Sequence, residues 1–264
     1  MKSLSSLLIT SALIAASTTA SAALVAGDIA LVGFQASGVT TDSFSFASLV
    51  NVDAGTVLYF TDNGFTTGAG FRGVSATDND GNEGLVKYTV GANGLAAGQV
   101  VSSLSTNTAN GAWTLSGLIY GTGTGSYAPF GLSSTGEQFT VFQSSNAQPM
   151  LSGYTALYNF DNTGAYEAAT TSGTGQLAPG LVGGTSAILL ASPTGANFAN
   201  FDFGAWIGSA DRATWLARMG NSANWTTSSD TTNTADGSFS VTAVPTPGAV
   251  ALLGLAGLVA RRRR

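Results

Sequence analysis

Cysteine and histidine are both missing from this chain of 264 residues. Without cysteine there is no disulfide framework, so stability has to come from an ordinary buried core, which this length can supply. Without histidine, Ser-His-Asp and Cys-His catalysis, imidazole zinc sites and a histidine pH switch are all excluded. Charge is scarce as well, at 9% of residues. Five of the nine basic residues sit at the two ends, Lys2 and Arg261 to Arg264. The stretch between them carries Arg72, Lys87, Arg212 and Arg218 against all fourteen acids, a net charge of about −10. So acidic a surface argues against nucleic acid or anionic lipid as a partner.

Long helical periodicity is also lacking, and no repeat of twenty to fifty residues is visible, which argues against a solenoid or propeller. What is there are short runs of β-formers separated by Gly, Asn and Asp clusters, the pattern of an all-β sandwich or barrel. The runs predict strands over residues 28–34, 43–50, 56–61, 85–90, 99–103, 137–143, 154–159, 186–191 and 238–243. Ser43-Phe44-Ser45-Phe46 alternates and should have one wet face. Val57-Leu58-Tyr59-Phe60 is apolar on both faces and reads as a central strand. One short helix is expected: Asp211 caps Arg212 to Met219, Trp215, Leu216 and Met219 form its apolar stripe, and Gly220 stops it. Trp215 reads as a core plug. The body spans residues 23–243 as one β-sandwich domain, or as two subdomains split near the Gly/Thr-rich stretch 117–129.

Both ends have a separate character. Lys2 is a positive start, Leu7 to Ala16 is mostly apolar, and Ala20-Ser21-Ala22 followed by Ala23 is an A-x-A cleavage site, so residues 1–22 read as a secretory signal peptide. At the other end Val244-Pro245-Thr246-Pro247-Gly248 leads into an apolar run, Ala249 to Ala260, followed by Arg261, Arg262, Arg263 and Arg264. Gly248 to Ala260 is thirteen residues, roughly 20 Å as a helix, against a hydrocarbon core of about 30 Å. Extension from Val244 with Pro247 in the first turn, and an arginine stop on the cytoplasmic face, suits transient retention in a membrane during export.

This C-terminal layout closely resembles the PEP-CTERM sorting signal of exported bacterial proteins. The resemblance implies residues 244–264 as a transmembrane sorting helix and an exosortase-type membrane protease as the partner that reads it. Thr246 stands where that family usually carries Glu. The body has its own resemblance. Ala26-Gly27-Asp28-Ile29-Ala30-Leu31-Val32-Gly33-Phe34, Phe44-Ser45-Phe46 and Ala54 to Phe65 look like a group of secreted bacterial surface proteins similar in outline to lamin-tail-like, Ig-type β-sandwiches. Glu83-Gly84, Gly98-Gln99-Val100-Val101, Gly136-Glu137-Gln138-Phe139 and Gly183-Gly184-Thr185-Ser186-Ala187 fit the same group. These are turn-and-strand patterns; they imply a fold and carry no chemistry.

The densest set of oxygen ligands is Asp78-Asn79-Asp80-Gly81-Asn82-Glu83. Acids at spacing two around a Gly turn resemble the opening of a calcium loop, with Asp78, Asp80, Asn82 and Glu83 as the ligands. Position twelve from Asp78 is Thr89 and not Glu, and the same residues also make a solvated acidic turn. Asp62-Asn63-Gly64 reads as hairpin-turn chemistry, with Asp62 a second calcium ligand as the alternative. Gly68-Ala69-Gly70-Phe71-Arg72-Gly73 fits G-x-G-x-x-G in letters alone, since it follows a turn and opens no helix. Glu137, Asp161, Glu167 and Asp202 are available for glycoside chemistry, which needs two carboxylates flanking a bond, but spacing singles out no pair. Trp113, Trp206, Trp215 and Trp225 could stack on sugar, though aromatic faces more often build a sandwich core.

The expectation is therefore an exported, non-enzymatic protein of the cell surface or extracellular matrix, structural or adhesive, with exopolysaccharide a partner and no cofactor unless calcium. The alternative is a secreted carbohydrate-binding module or a carboxylate-dependent glycoside-active enzyme.

Overall fold

The computed structural model describes residues 23–36, 42–72, 84–115, 131–133, 136–167, 174–191, 198–228 and 236–242. The signal-peptide residues Ala20 and Ala22, the acidic run Asp78 to Glu83 and the tail Val244 to Arg264 lie outside them, as does 117–129.

The chain is mostly β, as its short β-branched and aromatic runs require. The first sheet carries, in spatial order, β14 (Trp225–Ser228), β12 (Phe198–Phe201), β1 (Ile29–Gln35), β2 (Ser43–Ser48), β7 (Gln99–Ser102) and β15 (Gly237–Ser238). The second carries β11 (Ala187–Leu189), β10 (Tyr154–Asp161), β9 (Gln138–Ser144), β3 (Val57–Thr61), β6 (Leu85–Val90) and β8 (Gly111–Leu115). Neighbours pair antiparallel except β10 with β11. Each sheet takes strands from both sides of residues 117–129. Two small ladders are added: β4 (Phe65–Thr66) with β5 (Gly70–Phe71), and β13 (Ser209–Asp211) parallel to β16 (Ser240–Thr242).

One core lies between the two large sheets. Phe34 of β1 stacks on Phe160 of β10 at 4.9 Å, and Phe44 of β2 meets Phe60 of β3 at 5.0 Å and Phe139 of β9 at 4.7 Å. Register explains the selection: Phe34 opposes Phe44, and Leu31 opposes Phe46, so these apolar side chains share one face. A second apolar cluster of Phe65, Phe71, Leu85, Phe142, Met150 and Leu181 covers the far face of the second sheet beneath the β4–β5 hairpin.

The expected wet face of Ser43-Phe44-Ser45-Phe46 is corrected. Ser43 and Ser45 are 0% and 3% exposed, because β2 lies inside its sheet and its second face is closed off too. β3 does run centrally, between β9 and β6. The helix α1 (Arg212–Met219) forms as read: Asp211 accepts the Thr214 N–H at 2.7 Å, and Trp215, Leu216 and Met219 are buried. Gly220 ends it in the right-handed conformation and not the left-handed one. Its absent side chain is needed because a Cβ would sit 2.2 Å from the Gly184 backbone. Short strands β4, β5, β8, β12, β13 and β14 have no counterpart among the predicted runs.

Candidate functional site

Antiparallel order brings the end of β3, the start of β9 and the end of β10 side by side at one end of the second sheet. Cross-strand pairing of Thr61 with Thr140, Thr140 with Asn159, and Gln138 with Asp161 lines these polar side chains on the face turned away from the first sheet. Asp62, Asn63, Glu137 and Asn162 flank them in sequence, and all nine residues are buried.

Backbone and amide groups occupy much of this chemistry. Asp62 accepts the Gly131 N–H at 3.1 Å, and Gln138 Nε2 donates to the Asp62 carbonyl. Glu137 accepts from Ser133 N at 3.2 Å and from Gln138 N at 3.0 Å. Asp161 accepts from Thr163 through its N–H at 2.8 Å and its hydroxyl at 2.7 Å. Asn162 and Glu137 exchange two bonds: Glu137 N to Asn162 Oδ1 at 2.5 Å, and Asn162 N to Glu137 O at 3.0 Å. Asn159 Nδ2 donates to Thr140 Oγ1 at 2.9 Å.

Five acceptor oxygens find no donor among the described residues: Asp62 Oδ1, Asn63 Oδ1, Gln138 Oε1, Asn159 Oδ1 and Asp161 Oδ2. A buried acceptor without a donor disfavours a negative charge nearby and favours a proton. Burial pushes Asp62 up to about 7, against the pull of its backbone hydrogen bonds and helped slightly by Asp42. Burial likewise raises Asp161 to about 6, opposed by the Thr163 bonds. Asp62 therefore gives up its proton only around neutral pH, and Asp161 at slightly lower pH, both well above the point at which an exposed carboxylate does.

Of the four acids considered for glycoside chemistry, Glu137, Asp161 and Glu167 come to this end of the sheet. Asp202 does not; it caps the turn Phe203–Ala205 by accepting from Gly204 N at 3.0 Å and Ala205 N at 3.3 Å. Asp62-Asn63-Gly64 is not a tight hairpin turn. Every non-glycine residue described has negative φ, and Gly64 is not among the positive-φ glycines. Asn63 donates instead to Thr61 Oγ1 at 3.0 Å and to Met150 Sδ at 3.8 Å, so tertiary partners set its conformation. The tight turn falls at Thr67 to Ala69, between β4 and β5, where Gly68 has φ +83°. Among the described residues no group of three acidic ligands could hold a metal ion.

The tryptophans are mainly core. Trp113 stands edge-on to Phe44 at 5.2 Å, while Trp215 and Trp225 are buried. Trp206 is half-buried, under the Arg218 guanidinium at 4.5 Å. The amide side chains of Gln138, Asn159 and Asn162 were not singled out in the sequence, and Asn63 was read only as a turn residue. One signal was available: Phe60-Thr61-Asp62-Asn63-Gly64 and Phe160-Asp161-Asn162-Thr163-Gly164 both close a buried strand with Asp-Asn.

No family model matches the chain, and neither a curated protein nor a solved structure does.

Proposed function

We propose that this is an exported, non-enzymatic β domain with a structural or adhesive role at the cell surface or in the extracellular matrix. On this reading the paired sheets are a lamin-tail-like, Ig-type β-sandwich. Residues 1–22 direct export, and residues 244–264 hold the chain in the inner membrane until an exosortase-type protease acts near Val244. Exopolysaccharide is the proposed partner. Calcium at Asp78, Asp80, Asn82 and Glu83 is the one ion proposed, and a titration without heat at millimolar Ca²⁺ would remove it.

The supporting observation is the use made of the buried acids. Glu137 and Asp161 accept hydrogen bonds from their own loops, Asp62 accepts one from the distant Gly131, and all three are 0–4% exposed. A general acid or nucleophile has to reach its substrate; these carboxyls close strand ends instead. The test is the intact mass of the protein from native cells, in membrane and medium fractions. A species from Ala23 to about Val244 supports export and tail removal. A species in the medium that retains Arg261 to Arg264 overturns the sorting step.

A carbohydrate-active reading is favoured by one observation, the gathering of Glu137, Asp161 and Glu167 at a single end. Turnover of extracted exopolysaccharide that disappears in Asp161→Ala would favour it over the structural role.

A further inference from the structure

We propose that the α1 end of the β body faces the membrane, and that the loop tip Trp206-Ile207 rests on lipid while the C-terminal segment is held in the bilayer. This rests on the reading of residues 244–264 as membrane-retained.

Ile207 is 99% exposed, the most exposed large apolar side chain described. It is presented by a braced loop. Asp202 caps the preceding turn, the Trp206 N–H donates to the Phe203 carbonyl at 3.1 Å, and the Arg218 guanidinium lies over the Trp206 ring. The loop runs straight into β13, whose Asp211 pairs with Thr242 of β16. From Thr242 only six residues, Ala243 to Gly248, precede the apolar run. Extended, they reach about 20 Å.

The other end of the described body leaves from the same place. Arg212, next to Asp211, donates to the Ala26 carbonyl at 2.7 Å and the Gly27 carbonyl at 3.2 Å, and pairs with Asp28 at 2.9 Å. Val25, 54% exposed, lies beside this junction. Residues 1–22 and 243–264 thus both join the body through Asp211 and Arg212. Charge does not carry the orientation: Arg212 is paired with Asp28, Arg218 lies over the Trp206 ring, and Asp202 and Asp211 flank the loop, so the contact rests on the apolar tip and the tether. One isoleucine cannot recruit a domain to lipid alone. Covalent tethering supplies the effective concentration that makes a weak contact count. That favours lipid over a second copy of the chain, which no tether brings to the loop.

The lack of cysteine makes the test clean. Single-cysteine variants Ile207→Cys and Ala165→Cys of the full chain, the second at the opposite end beyond β10, each carry an environment-sensitive NBD probe. Both are reconstituted with phosphatidylcholine vesicles containing a small fraction of lipid with a quencher on its acyl chain. The expected result is a blue shift and several-fold brighter emission at position 207, quenched by that lipid, with position 165 unchanged. Equal responses at the two positions in chains that float with the vesicles would overturn the orientation and leave the tail reading intact. Chains that fail to float would overturn both. A blue shift at 207 without lipid, growing with protein concentration, would reassign the surface to self-association.

Discussion

The two ends of the paired sheets are built from opposite chemistry. At one end Asp62, Gln138, Asn159 and Asp161 are buried with oxygens that find no donor among the described residues. At the other, α1 packs Trp215 against Phe239 at 4.5 Å and its indole N–H donates to Ser240 O at 2.9 Å. The plug end pairs the Trp215 and Trp225 indole N–H groups and buries large rings, with Trp206 Nε1 finding no partner among the described residues. The polar end holds groups whose cost depends on protonation, so its contribution changes with pH. A strand pair closed by one fixed and one titratable end should respond very differently to mutation at each.

The largest expected effect is at the plug. Trp215→Ala removes a fully buried ring and its hydrogen bond, and should cost about 3–5 kcal/mol in urea denaturation. A loss under 1 kcal/mol would mean that α1 is an appendage and closes nothing.

Next comes the polar end. The folded-state value of Asp62, about 7, lies above the ordinary 3.8. Between those values the unfolded chain releases a proton that the folded chain keeps, so stability falls as pH rises through about 4 to 7 and levels above it. Asp161, raised to about 6, acts in the same direction. Thermal melts should therefore show a higher Tm at pH 5 than at pH 7.5. Asp62→Asn should flatten that slope and gain about 2 kcal/mol at pH 7.5. A Tm that rises toward pH 7.5 would contradict the assignment.

The junction between the N-terminal segment and α1 should be weaker. Arg212→Gln breaks the partly exposed pair with Asp28 and both carbonyl contacts, at a cost of about 1–2 kcal/mol. Its signature is local: faster amide exchange at Gly27 and Asp28, with the β9 and β10 amides unaffected. The smallest effect belongs to the hairpin over the second sheet. Gly68→Ala puts a side chain at φ +83° in open space, a backbone strain of about 1 kcal/mol read as a small fall in Tm.

How far each end was legible follows from the range of the forces that form it. The strand at 85–90 and the helix from Asp211 to Gly220 could be read directly, because alternation, capping and an apolar stripe are local patterns. β12 and β14 could not: Phe198–Phe201 and Trp225–Ser228 are too short to show a period, and they become strands by pairing with each other and with β1. Ser43 and Ser45 misled for a related reason. Alternation tells which residues share a face, and only packing tells whether that face meets water. Asp62 and Asn63 looked like turn residues because their local preference is for turns, yet Gly131, Thr61 and Met150 claim their side chains.

From the sequence alone came the β class of the body, its acidity, the place and N-cap of α1, the exclusion of histidine and cysteine chemistry, and the sorting reading of the two ends. Composition and short-range pattern carry that information whatever the fold. Only the tertiary structure decided which acids lose water, that Glu137 and Asp161 meet while Asp202 stays apart, and that both ends of the body leave beside α1. Burial and strand order depend on contacts between residues far apart in the chain, and no local window contains them.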